Sequence, residues 1–98
     1  PAGKAQEALQ ERYRVGSLLR SSVFGSVYSG TWLADGAPVA IKRVLWDHIR
    51  LWGELPNGAR VSLEIVVLDE VSTGCAGVIQ LLEWVELPND FVLVLEHP

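Results

Sequence analysis

Short runs of strand-forming residues, each ended by a turn signal, constrain this 98-residue chain more than any other feature. Asp35-Gly36 stands between the runs 25–32 and 38–45, and both residues tolerate the positive φ of a tight hairpin. A first run covers 13–19. Asn57-Gly58, after Leu55-Pro56 and before Ala59, reads as a second tight hairpin inside the connector 46–60. Asp47 is placed to cap one helical turn there, through Arg50. Two further strands are expected over 78–85 and 91–96, joined by Pro88-Asn89-Asp90. Between the two strand groups, 62–73 reads as a helix. Ser62 suits an N-cap, Glu64 puts negative charge in the first turn, and Gly74 suits the residue after the last turn. The order strand, strand, strand, helix, strand, strand, with hairpin-length links, implies an α+β domain. Its expected form is a twisted five-stranded antiparallel sheet with one main helix packed on a face. Residues 1–12 are polar and rich in Ala, Glu and Gln, and are expected to form a frayed helix or tail.

Composition excludes several classes. Twelve acidic against eight basic residues leave a net charge of −4, which opposes electrostatic binding of nucleic acid. The longest apolar run, 91–95, is far short of the roughly 20 residues that span a bilayer. Cys75 is the only cysteine, so no internal disulfide is expected and a reducing compartment, cytoplasmic or nuclear, fits best. Beside Gly74 and Ala76 it reads as an inert turn residue. His48 and His97 lack metal-ligand spacing. The four tryptophans lack the basic interleaving of a single-strand platform, so packing is their expected role. The sequence opens on Pro1, contains no methionine and ends beside an apolar run, as expected of a piece of a longer protein.

The chemistry concentrates at Val39-Ala40-Ile41-Lys42. On a strand Ala40, Lys42 and Val44 share a face, and a lysine on a largely apolar face wants a counter-ion or an anionic ligand. Glu64, on the helix face of Val67, Leu68 and Val71, is the candidate partner. Alternatively Lys42 snorkels to the sheet edge and Glu64 merely favours the helix N-terminus.

These residues stand in the order of a protein-kinase small lobe: a Gly-rich loop, a strand lysine in a VAIK-type run, and an inward helix glutamate. The chain resembles the Pim family of serine/threonine protein kinases in particular. Phe24-Gly25-Ser26-Val27-Tyr28-Ser29-Gly30 is similar to that family's second strand, and Pro38-Val39-Ala40-Ile41-Lys42 to its third. Trp52-Gly53-Glu54-Leu55-Pro56-Asn57-Gly58, Gly77-Val78-Ile79-Gln80-Leu81-Leu82-Glu83-Trp84 and Phe91-Val92-Leu93-Val94-Leu95-Glu96 extend the likeness. Beyond the expected tail over 1–12, the resemblance implies a kinase small lobe over 13–98, cut at the hinge. It implies that Lys42 contacts the α- and β-phosphates of ATP and pairs with Glu64. Leu19, Val27, Ala40 and Ile79 would wall the adenine, with Leu95 as gatekeeper. Glu96-His97-Pro98 would be the hinge, the Glu96 carbonyl accepting from the adenine amino group. Pro98 has no N–H for a second hinge bond.

The loop departs from the family. Its three glycine places fall on Arg20, Ser22 and Gly25, so one glycine survives, and Val23 replaces a further common glycine. Arg20 brings a long side chain near the ribose, Ser22 and Val23 withdraw φ freedom, and impaired nucleotide binding is expected. Arg20 could instead bind phosphate itself, though that would not restore the backbone cradle. The catalytic-loop Asp and Asn and the metal-binding Asp of DFG do not occur in these 98 residues, so no catalytic residue is assigned here. Mg²⁺ and the protein substrate would be held by a large lobe. Two expectations follow: the ATP-binding half of a kinase that phosphorylates Ser/Thr of proteins, or a pseudokinase or remnant interaction module with weak or no ATP binding. An unrelated β-rich binding domain is the third and weakest.

Overall fold

The computed structural model describes residues 2–23, 25–74 and 79–97. Phe24 of the loop, Cys75, Gly77 and Val78 of the helix–strand link, and Pro98 of the expected hinge lie outside the described residues. The chain runs α1 (Ala2–Arg12), β1 (Tyr13–Ser22), β2 (Gly25–Trp32), β3 (Pro38–Leu45) and a 3-10 turn (Trp46–His48). It continues through β4 (Trp52–Glu54), β5 (Arg60–Ser62), α2 (Leu63–Gly74), β6 (Leu81–Glu86) and β7 (Asp90–Glu96). Five strands form one antiparallel sheet in the order β1-β2-β3-β7-β6, and β4-β5 form a separate two-stranded ribbon. The α+β expectation of a five-stranded antiparallel sheet with one main helix therefore holds.

The turn signals act as their chemistry requires. Asp35 Oδ1 accepts from the Ala37 N–H at 2.8 Å while Trp32 and Ala37 close the loop through their main chains. At Asn57 the side-chain oxygen accepts from the Ala59 N–H at 3.0 Å, and the short ribbon β4-β5 follows from that turn. Ser62 caps α2, its hydroxyl accepting from the Ile65 N–H at 3.4 Å. Asp47 does not cap a helix. It lies inside the 3-10 turn, whose capping position is Leu45 and has no side-chain cap bond.

Each face of the sheet carries its own apolar cluster. On the inner face Val44, Phe91 and Leu93 pack with Val61 of β5, with Ile65 in the first turn of α2 and with Leu55. Phe91 is fully buried, and Trp46, Trp84 and Trp52 surround it with ring centroids 5.6–6.0 Å away. For these three tryptophans this is packing, as expected, and the edge-on rings of Trp52 and Trp84 suit the ring quadrupoles; Trp32, in contrast, is 39% exposed. On the outer face Val39, Ile41, Val92 and Val94 pack with Tyr13 and Leu9. Of the two forms expected for these residues, 2–12 take the helical one, with Leu9 anchored in the core. Arg12 and Tyr13 both reach Glu83 on β6, at 2.5 Å from the guanidinium and 2.6 Å from the phenol, which ties the first helix to the far edge strand.

Candidate functional site

The inner face is organised in rows across the strands, because residues directly opposite each other in a ladder share a face. One row reads Arg20, Val27, Lys42, Leu93, Trp84. The next reads Ser29, Ala40, Leu95, Leu81. Val27, Ala40, Lys42 and Leu95 are thereby brought to one surface. Ile65 is fully buried against Val44, Phe91 and Leu93, and this fixes the rotation of α2 about its axis. Glu64, its neighbour, is then turned to Lys42, and Lys42 Nζ meets Glu64 Oε2 at 2.5 Å. The lysine side chain is 18% exposed and the glutamate 39%, so the ion pair orients more than it stabilises. Of the two readings open for Lys42, the geometry takes the paired one. Glu64 also borders an apolar groove of about 630 Å³ between α2 and the β3 end, lined by Val44, Ile49, Leu51 and Val67.

The loop is a hairpin paired to its tip, with Ser21 opposite Ser26 and Ser22 opposite Gly25. Among the described residues positive φ occurs only at Gly25, Gly36 and Gly58. Arg20, Ser22 and Val23 therefore sit without the backbone strain expected where glycine is replaced. Gly25, the surviving glycine, is the one the fold requires. Its φ is +133°, and a Cβ there would lie 2.4 Å from the Arg43 carbonyl oxygen on β3. β1 also bulges twice, between Val15 and Leu18 and between Leu18 and Arg20. The second extra residue seats Arg20, in place of Leu19, opposite Val27. Leu19 and Ile79 remain about half exposed, at 52% and 50%. At the expected hinge the Glu96 N–H donates to the Gln80 carbonyl at 3.0 Å, and its carboxylate accepts from the Gln80 N–H.

Sequence reasoning missed two polar links. Asp90, buried at the start of β7, pairs with Arg43, and Glu83 gathers Arg12 and Tyr13. Burial first, then the bond to Glu83, pushes the Tyr13 phenol up to about 12. Burial alone would raise Glu83, but the bonds from Arg12 and Tyr13 outweigh it and hold the carboxyl below its usual range. Arg12 and Glu83 are 71 positions apart, and no local pattern couples them.

A five-stranded antiparallel sheet with a helix glutamate bonded to a central-strand lysine is the arrangement of a protein-kinase small lobe. No protein-family profile matches the chain. It is 36% identical over 105 aligned residues to Serine/threonine-protein kinase pim-2 of Danio rerio, across 99% of this chain and 34% of that protein. Over 91% of its length it is 34% identical to Serine/threonine-protein kinase prk-2 of Caenorhabditis elegans, covering 20% of that protein. These matches identify the chain as a kinase-derived segment, similar to Pim-type serine/threonine protein kinases, and it spans about a third of the first relative and a fifth of the second.

Proposed function

We propose that this chain is the nucleotide-binding small lobe of a Pim-like serine/threonine protein kinase. ATP would lie on the inner face, its adenine against Val27, Ala40 and Leu95 with Leu19 and Ile79 at the edges, and its amino group on the Glu96 carbonyl. Lys42, held by Glu64, would face the α- and β-phosphates. The observation that carries this reading is the Lys42–Glu64 pair at 2.5 Å on a face whose neighbouring row is Ala40 and Leu95. A lysine so fixed supplies a positioned cation without reorganising when the anion arrives. Mg²⁺, the acceptor hydroxyl and the groups that orient it belong to large-lobe residues outside these 98. In the complete enzyme the activity would be transfer of the ATP γ-phosphate to Ser or Thr of proteins, in the cytoplasm or nucleus.

The test is titration of the chain with adenosine and with ATP, followed through backbone amide resonances. Shifts should concentrate at Val27, Ala40 and Leu95, and Lys42→Ala should weaken ATP but not adenosine. Adenosine that leaves those amides unmoved in a folded chain refutes the reading. A second reading, a pseudokinase or remnant interaction module, is favoured by Arg20 and Ser22 at two of the three loop-glycine places. It requires a folded chain that binds neither ligand.

A further inference from the structure

We infer that Arg20 is a phosphate-binding residue, a side-chain clamp working where a glycine loop would offer backbone N–H groups. The inference rests on the nucleotide reading above and names which group of this chain holds the phosphate end. Its basis is the register. Arg20, Val27 and Lys42 stand side by side in one row of the inner face, so the two cations flank Val27. Two strand spacings put their Cα atoms roughly 10 Å apart, a gap that two long flexible side chains close from opposite sides.

Charge separates their roles. Lys42 is already compensated by Glu64, Arg12 pairs with Glu83, Arg43 with Asp90, and Arg60 lies over the Trp52 ring at 5.4 Å. Arg14, opposite Thr31, and Arg50, outside the strands, also lack a carboxylate partner among the described residues, but neither stands in the row of Val27 and Lys42. The Arg20 guanidinium has no carboxylate partner among the described residues. On a chain of net charge −4 it is an uncompensated cation on the proposed nucleotide face. A planar guanidinium donates two parallel bonds to phosphate oxygens, which a lysine cannot reproduce. Structural duty does not account for Arg20 either. It is exposed, and its bulge carries no positive φ, so the fold gains nothing visible from that side chain.

The experiment compares ATP with adenosine on the 98-residue chain in magnesium-free buffer at low salt, by amide chemical shifts. The unaltered chain should bind ATP more tightly than adenosine. Arg20→Met, which keeps the aliphatic stem, should weaken ATP about tenfold, the size of one charge-assisted contact, and leave adenosine unchanged. Arg20→Lys should recover part of the loss, and added salt should shrink the ATP advantage in the unaltered chain. Unchanged ATP binding in both Arg20→Met and Arg20→Gly overturns the clamp while adenosine binding leaves the nucleotide reading standing. Tighter ATP binding in Arg20→Gly also overturns it, since the side chain would then be an obstruction. Failure of adenosine itself to bind overturns both.

Discussion

Replacing Gly25 by alanine should destabilise the chain far more than the same change at Gly36, although both glycines sit at positive φ. Gly36, at φ +76°, has nothing within 4 Å of an added Cβ, so Gly36→Ala costs only the left-handed backbone, about 1–2 kcal/mol. At Gly25 φ is +133°, a region held almost only by glycine, and the strain is ~1–3 kcal/mol. There the added Cβ would also lie 2.4 Å from the Arg43 carbonyl oxygen, against 3.4 Å or more for ordinary contact. β2 must then draw back from β3 by about 1 Å, by the radii in contact, and the pair that yields is Ser26 with Arg43 at the end of the ladder. Losing one or two ladder bonds adds ~1 kcal/mol each, so the total reaches about 2–5 kcal/mol. Urea unfolding followed by tryptophan emission measures this, because Trp46, Trp52 and Trp84 pack around Phe91 and report the whole core. With a slope near 1 kcal/mol per molar, the Gly25→Ala midpoint should fall about 2 M below that of Gly36→Ala. Equal midpoints would refute the close-approach argument and leave backbone φ as the whole cost.

Phe91→Ala should lower stability by ~3–5 kcal/mol, since the ring is fully buried and its removal leaves a void among three tryptophans, while Phe91→Leu costs clearly less. A loss under about 1 kcal/mol in urea unfolding would mean the cluster is loosely packed. The link between Tyr13 and Glu83 makes stability depend on pH at both ends. Tyr13 is raised to about 12 from an ordinary 10, so its contribution is intact below pH 10 and lost as pH climbs from 10 to 12. Glu83 is lowered from an ordinary 4.5, so its contribution is present above that value and lost as pH falls through the depressed one. Thermal unfolding against pH checks both limbs. Tyr13→Phe should flatten the alkaline limb, and an unchanged one would show that Tyr13 is not its source.

Local chemistry in the sequence was enough to determine the strands, the hairpins and α2, because Asp35-Gly36, Asn57-Gly58 and Ser62 act within three residues of where they stand. Periodicity also put Lys42 among apolar neighbours and singled out Glu64, and burying a charge leaves few ways to satisfy it. Other features were decided only in three dimensions. Residues 2–12 have a weak helical pattern, and it took the outer face of the sheet to give Leu9 a place to be buried. Arg12, Tyr13 and Glu83 meet only because the sheet order brings β6 to the edge that α1 reaches. The sharpest case is the loop. Sequence shows that glycines are missing at Arg20 and Ser22, but one extra residue in β1 determines which side chain shares a row with Val27 and Lys42. Strand side chains alternate with a period of two, so a single bulge reverses every assignment beyond it. Its presence depends on pairing with β2, not on β1 alone.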